Sequence, residues 1–146
     1  MSRAYVFDTE AIIAFLYDEP GHERVASLLD DVEDEEAEGL LAELNASEVY
    51  YLVARFEGTD DDNPTSASLR LADRDIRALE RRGLVLKQAD WRRTGEIKAD
   101  GYISLADAAA VALAHEHDST LVTGGDDDFD SLPVDISIDQ FRDHGV

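Results

Sequence analysis

The feature that most restricts how this chain can fold is the alternation of short apolar runs with longer stretches of helical periodicity. Runs suited to strands lie at 4–7 (AYVF), 39–42 (GLLA), 83–87 (GLVLK), 120–123 (TLVT) and 134–138 (VDISI). Between them, TEAIIAFLYDE, HERVASLLDDVEDEE, NASEVYYLVARFEG, SASLRLADRDIRALERRG and SLADAAAVALAHEHD carry apolar residues at helical spacing. Strands joined through helices pair in parallel, so the pattern predicts an α/β domain with a mostly parallel sheet covered on both faces. No internal repeat or Pro/Ser-rich linker interrupts the 146 residues, which predicts one domain over 1–146. The polar stretches 30–38 and 58–66 read as acidic surface loops or frayed helix ends.

The charge balance is extreme: 34 Asp and Glu stand against 13 Lys and Arg, for a formal charge of -21, and Lys87 and Lys98 are the only lysines. Such a surface suits a cytoplasm with molar salt, where self-repulsion is screened over roughly 3 Å. Screening also weakens the usual inference that an acidic protein avoids nucleic acid, so overall charge does not exclude an RNA substrate. The absence of cysteine excludes disulfides, thiolate metal sites and a Cys nucleophile. The runs AIIAFLY and AAAVALA fall far short of the roughly 20 residues that span a bilayer. The start, MSRAYVFD, enters a strand-like run with no signal-peptide core. The expectation is a soluble cytoplasmic protein with no membrane partner.

Four acids stand at comparable places in the pattern. Asp8 ends the first strand and begins the first helix, where it suits an N-cap. Glu48 comes three residues after Asn45, and Asp107 three after Ser104, so each fits a capping box. Singly, capping explains all three. Collectively they lie, with Asp126 after the fourth strand, where strand ends and helix starts share one edge of a parallel sheet. Carboxylates gathered there raise one another's pKa values, so a convergent cluster implies a divalent cation, and oxygen-only ligation suits Mg²⁺ or Mn²⁺. An open carboxylate site of this kind activates water against a phosphodiester.

The order Asp8, Glu48 in NASEVYYLVAR, Asp107 in LADAAAVALA and Asp126 in LVTGGDDDFDSL resembles the PIN-domain nucleases, especially VapC-type toxins of toxin–antitoxin pairs, over essentially the whole chain. The resemblance implies a three-layer α/β/α domain with strand order 3-2-1-4-5, and Mg²⁺- or Mn²⁺-dependent hydrolysis of single-stranded RNA. It implies a quartet of Asp8, Glu48, Asp107 and Asp126. Asp128 is an equal candidate for the fourth ligand, while Asp127 and Asp130 are assigned to the solvated surface. A small antitoxin protein is the implied partner.

Thr123 is placed to bind a site carboxylate or a phosphate oxygen, a role that a strand-end Thr does not need. His115 and His117 are two apart on a helix, hence on different faces, and read as surface residues. Arg92 and Arg93, with Lys98 nearby, read either as RNA phosphate contacts or as ion-pair partners of the surrounding acids. The apolar content of VYYLVARF and ASLRLADRDIRALERRG exceeds what one sheet face covers, which predicts a homodimer. Other classes fit less well. A haloacid-dehalogenase phosphatase wants D-x-D where the chain reads Asp8-Thr9-Glu10, and a receiver domain needs a late lysine that the segment after 120 lacks. An RNA-processing nuclease without an antitoxin, and a non-catalytic protein-binding module, remain consistent with the residues.

Overall fold

Successive residues of the central strand send side chains into two different layers. In β1 (Arg3–Phe7), Tyr5 and Phe7 join one hydrophobic cluster and Val6 the other, as the two-residue repeat of a strand requires. The computed structural model describes residues 3–125, 129 and 132–144. In β2 (Ala37–Ala42), Ala37 and Leu41 face the first cluster, Leu40 and Ala42 the second; β4 (Thr120–Thr123) divides Val122 from Leu121 in the same way. With β3 (Val85–Lys87) and β5 (Ser137–Gln140) these strands form a sheet in the order β3-β2-β1-β4-β5, and every neighbouring pair is parallel.

Helices α1 (Thr9–Leu16), α2 (His22–Glu33) and α3 (Glu43–Phe56) cover the first face, and α4 (Ser66–Arg81) packs on α3. Helices α5 (Trp91–Asp100) and α6 (Leu105–Glu116) cover the second. The result is the three-layer α/β/α architecture and strand order expected. Ala108 to Ala114 of α6 is buried throughout, and its alanines bring that helix close to the sheet. A larger side chain at Ala110 would overpack this contact, at about 1–3 kcal/mol. Gly39 serves a similar approach on the other face, since a Cβ there would lie 2.8 Å from the Val32 side chain.

Three expectations shift. The last strand is Ser137–Gln140 rather than 134–138, because Val134 and Ile136 pack against the α6 layer ahead of it. The strand then continues through buried Asp139, whose carboxylate accepts a 2.7 Å bond from Arg24 Nη2. An inward acid stabilised by a distant arginine does not read as a strand residue. Of the two readings of 30–38, the helix end holds and the loop shrinks to a turn: α2 runs to Glu33, and β2 begins at Ala37, two residues earlier than expected. Helix α5 was not expected, since it buries only Thr94 and Ile97 and so has no apolar stripe; its start is set by Asp90, which accepts from the backbone N–H groups of Arg92 and Arg93. Among the described residues no helix is long and apolar enough to cross a membrane.

Candidate functional site

The strand order reverses its direction of growth between β1 and β4, and a parallel sheet opens a crevice at the carboxyl ends of such a pair. Asp8 sits there. Its N–H donates to the Val122 carbonyl at 3.1 Å, which ties it to β4, and its Oδ1 accepts the Ala11 N–H at 2.8 Å as the N-cap of α1. Capping and site geometry therefore coexist in one residue. Asp8 is only 2% exposed, and burial pushes its carboxyl up to about 7 from 3.8. Hydrogen bonds from the Thr123 side chain and the Ala11 N–H oppose that rise, while the nearby charges of Asp107 and Glu10 add to it. Thr123 is itself fully buried, and its Oγ1 accepts the Gly125 N–H at 3.2 Å.

Glu48 stands in the second turn of α3, half-buried. The capping box anticipated for Asn45 and Glu48 is absent, because the helix already begins at Glu43 with Ala42 as its cap. Asn45 instead lies inside the helix, fully buried, and donates through Nδ2 to Thr9 Oγ1 at 3.0 Å. That bond fixes the start of α3 against the start of α1. Asp107 does stand where a capped helix would place it: Ser104 caps α6 and accepts the Asp107 N–H at 3.1 Å. Glu48 and Asp107 line a common cleft of about 280 Å³ with Thr9, Glu10, Ile13, Leu52 and Ser104.

Two of the expected acids thus share a cleft, and Asp8 is coupled to Asp107 by charge. Among the described residues no three acids are close enough to hold a metal ion by themselves. Asp126 and Asp128, the expected remaining ligands, lie outside the described residues, as do Asp127 and Asp130. The donors that are present fit a hard divalent cation in kind, being carboxylate oxygens, and a buried carboxyl titrating near neutrality gains its charge readily when a cation is beside it.

The sequence matches the PIN domain model over residues 5–134. The chain belongs to the PIN-domain family. No curated protein matches it by sequence. Its fold is similar to that of VapBC2 from Rickettsia felis bound to a promoter DNA fragment, with a TM-score of 0.68 at 14% identity, covering 93% of this chain and 97% of that one. DNA-bound VapBC from Salmonella typhimurium gives 0.64 at 18% identity, covering 97% and 99%. FitAcB from Neisseria gonorrhoeae gives 0.61 at 21% identity, covering 92% and 95%.

Further residues shape the cleft of this PIN domain. Glu10 lines it, and its carboxylate is held by Arg142 Nη1 from the far end of the chain. Arg142 also donates through Nε to the Pro20 carbonyl at 3.2 Å. Gly124 leaves room for the pair, since a Cβ there would come within 2.7 Å of Glu10 Oε1. Glu10 was legible only as the third residue of Asp8-Thr9-Glu10; nothing local marks Arg142. Arg92 places its guanidinium 4.6 Å from the Trp91 ring centroid; among the described residues Arg92, Arg93 and Lys98 form no close ion pair, but Asp90 is held below the ordinary carboxyl range by the backbone N–H groups of Arg93 and Arg92 and by the charges of both arginines. His115 and His117 are exposed at the end of α6, remote from the acid cleft, as expected of surface residues.

Proposed function

We infer that this PIN domain is a Mg²⁺- or Mn²⁺-dependent endoribonuclease that cleaves single-stranded RNA in the cytoplasm as the toxin of a VapBC-type toxin–antitoxin pair. The observation that carries the reading is the buried Asp8 at the switch point, charge-coupled to Asp107 beside a cleft shared with Glu48. The toxin assignment draws on the shared fold of the VapBC and FitAcB complexes. Asp8, Glu48, Asp107 and Asp126, with Asp128 as the alternative fourth acid, would hold the cation. When bound, the cation offsets phosphate charge and lowers the pKa of water.

The protein's own groups do the remainder. Thr123 and the Ala11 N–H fix the Asp8 carboxylate in one orientation. The cleft carboxylates of Glu48 and Asp107 accept hydrogen bonds from a water and align it with the scissile phosphorus. Water attacks in line, its proton passes to a carboxylate, and the P–O3′ bond breaks. The 3′ oxygen departs and takes a proton from solvent. Arg92 and Arg93 are suited to hold flanking phosphates. The exposed Tyr51, Phe56 and Leu69 of α3 and α4 supply the face of a homodimer and part of the antitoxin surface. Mn²⁺-dependent cleavage of a mixed RNA pool in molar KCl, present in the parent and lost in Asp107→Asn, is the expected result. Absence of cleavage by the folded parent protein would overturn the assignment.

A further inference from the structure

Beside the acid cleft lies a second, larger recess of about 440 Å³, bounded by the start of α3, the turn after β3, α5 and the start of α6. Leu44, Ala109 and Leu105 make its wall largely apolar, Ser47 and Gln88 add hydrogen-bonding groups, Glu43 adds one carboxylate, and Trp91 stands at its side. Trp91 is 71% exposed. It does not hold α5 to the body, which is the work of Thr94 and Ile97, so the fold gives no reason for an indole there. Arg92 lies over its ring at 4.6 Å.

We propose that this recess is a nucleobase subsite in which a base of single-stranded RNA stacks on Trp91 while an adjoining phosphate reaches the acid cleft. The proposal rests on the RNA-cleaving reading and adds to it the group that seats the substrate. Three observations support it. The recess and the cleft share two helices: Ser47 adjoins Glu48, and Leu105 precedes Asp107 by two positions. Neighbouring helix positions point about 100° apart, so the two hollows flank the same helix starts, and a strand crossing them presents a base to one and a phosphate to the other. The volume suits a planar ring with a few polar groups at its edge. Charge favours a polyanion over an apolar peptide. In a chain of net charge -21, both lysines, Lys87 and Lys98, fall in the same short segment as Arg92 and Arg93 beside the recess; Arg92 and Arg93 also act on the Asp90 carboxylate by charge, but among the described residues none of the four forms a close ion pair.

Trp91 is the only tryptophan in the chain, so its fluorescence reads the recess directly. The full-length protein in molar KCl with EDTA, free of divalent metal, is titrated with a mixed-sequence RNA hexamer, an abasic ribose-phosphate hexamer and an amphipathic apolar peptide. Saturable quenching by the RNA and none by the abasic strand is expected. Trp91→Ala, with circular dichroism and melting temperature unchanged, should weaken binding of a labelled hexamer by about tenfold, and Trp91→Phe should retain most of it. RNA binding without a fluorescence response, no RNA binding at all, or a response confined to the peptide would each overturn the subsite. Metal-dependent cleavage with no quenching would remove the subsite and leave the nuclease standing. Quenching without cleavage by the parent would do the reverse.

Discussion

The Thr123 side chain at the end of β4 is hydrogen-bonded to the Asp8 carboxylate at the end of β1. The two strands are neighbours in the parallel sheet, with Phe7 paired to Val122, so the bond is set by register and not by a mobile loop. Two rigid elements thereby hold the carboxylate that burial most disfavours. The hydroxyl favours the charged form, in opposition to burial.

Thr123→Val keeps the shape of the side chain and deletes that bond. The Asp8 carboxyl should then titrate higher still, so the acid limb of the cleavage profile moves to higher pH. Activity below that limb should fall by about 10- to 100-fold, in line with the loss of a group that orients the carboxylate proposed to hold the cation. A pH–rate profile checks this, and an unshifted limb would show that Thr123 does not tune Asp8.

Glu10 and Arg142 form the other cross-chain contact at the cleft. Arg142 is 30% exposed and Glu10 47%, so Arg142→Met should cost no more than about 1 kcal/mol of stability, by urea denaturation. Its larger effect should be on metal affinity. A freed Glu10 adds an uncompensated charge to the cleft and should tighten Mn²⁺ binding by calorimetry. Weaker Mn²⁺ binding would mean that the arginine supports the site and does not restrain it.

The architecture was legible where apolar periodicity was strong, and illegible where burial rested on distant partners. The sheet order came with the family resemblance, since alternation of elements alone does not rank five strands. Asp8 was visible because a strand–helix junction is a local event. Glu48 was harder to place: Asn45 looks like a helix cap, and only the Thr9 hydroxyl, 36 positions away, shows why an asparagine sits inside the helix. Arg142 and Glu10 are 132 apart in sequence, and neither has a local signature. Helix α5 has no periodic stripe because it covers an edge of the α6 layer with two buried residues.

Leu69, 36% exposed on α4, borders a surface hollow with Tyr50, Arg70 and Asp73. If this face joins two copies, Leu69→Glu should give a folded monomer by light scattering in molar KCl where the parent is a dimer. A monomeric parent under the same conditions would remove the dimer.

Salt removal should unfold the protein. The net charge of -21 is then unscreened, and the acids of the cleft repel with the rest. Millimolar Mg²⁺ should restore part of the helical circular dichroism, because an ion bound to the native state alone stabilises it by mass action. An unchanged spectrum after dialysis into dilute buffer would refute the halophilic reading.

Asp8→Asn separates stability from chemistry. In the metal-free protein Asp8 titrates near 7 against 3.8 for the ordinary carboxyl, so between those values the folded state keeps a proton that the unfolded chain releases. The stability linked to that proton is complete below 3.8 and is lost as pH rises through 7. The loss is on the order of 4 kcal/mol. Asparagine caps the helix as well as aspartate and carries no charge, so the variant should escape this loss. Without metal, its advantage over the parent should grow with pH and level off above neutrality, as read from urea denaturation across the range. With Mn²⁺ the order should invert: the parent gains melting temperature, the variant gains less, and RNA cleavage falls by several orders of magnitude with the fold intact. Asp107→Asn should share the loss of cleavage with the fold intact. A variant at Asp8 that cleaves like the parent at saturating Mn²⁺ would leave Asp8 as a helix cap and nothing more.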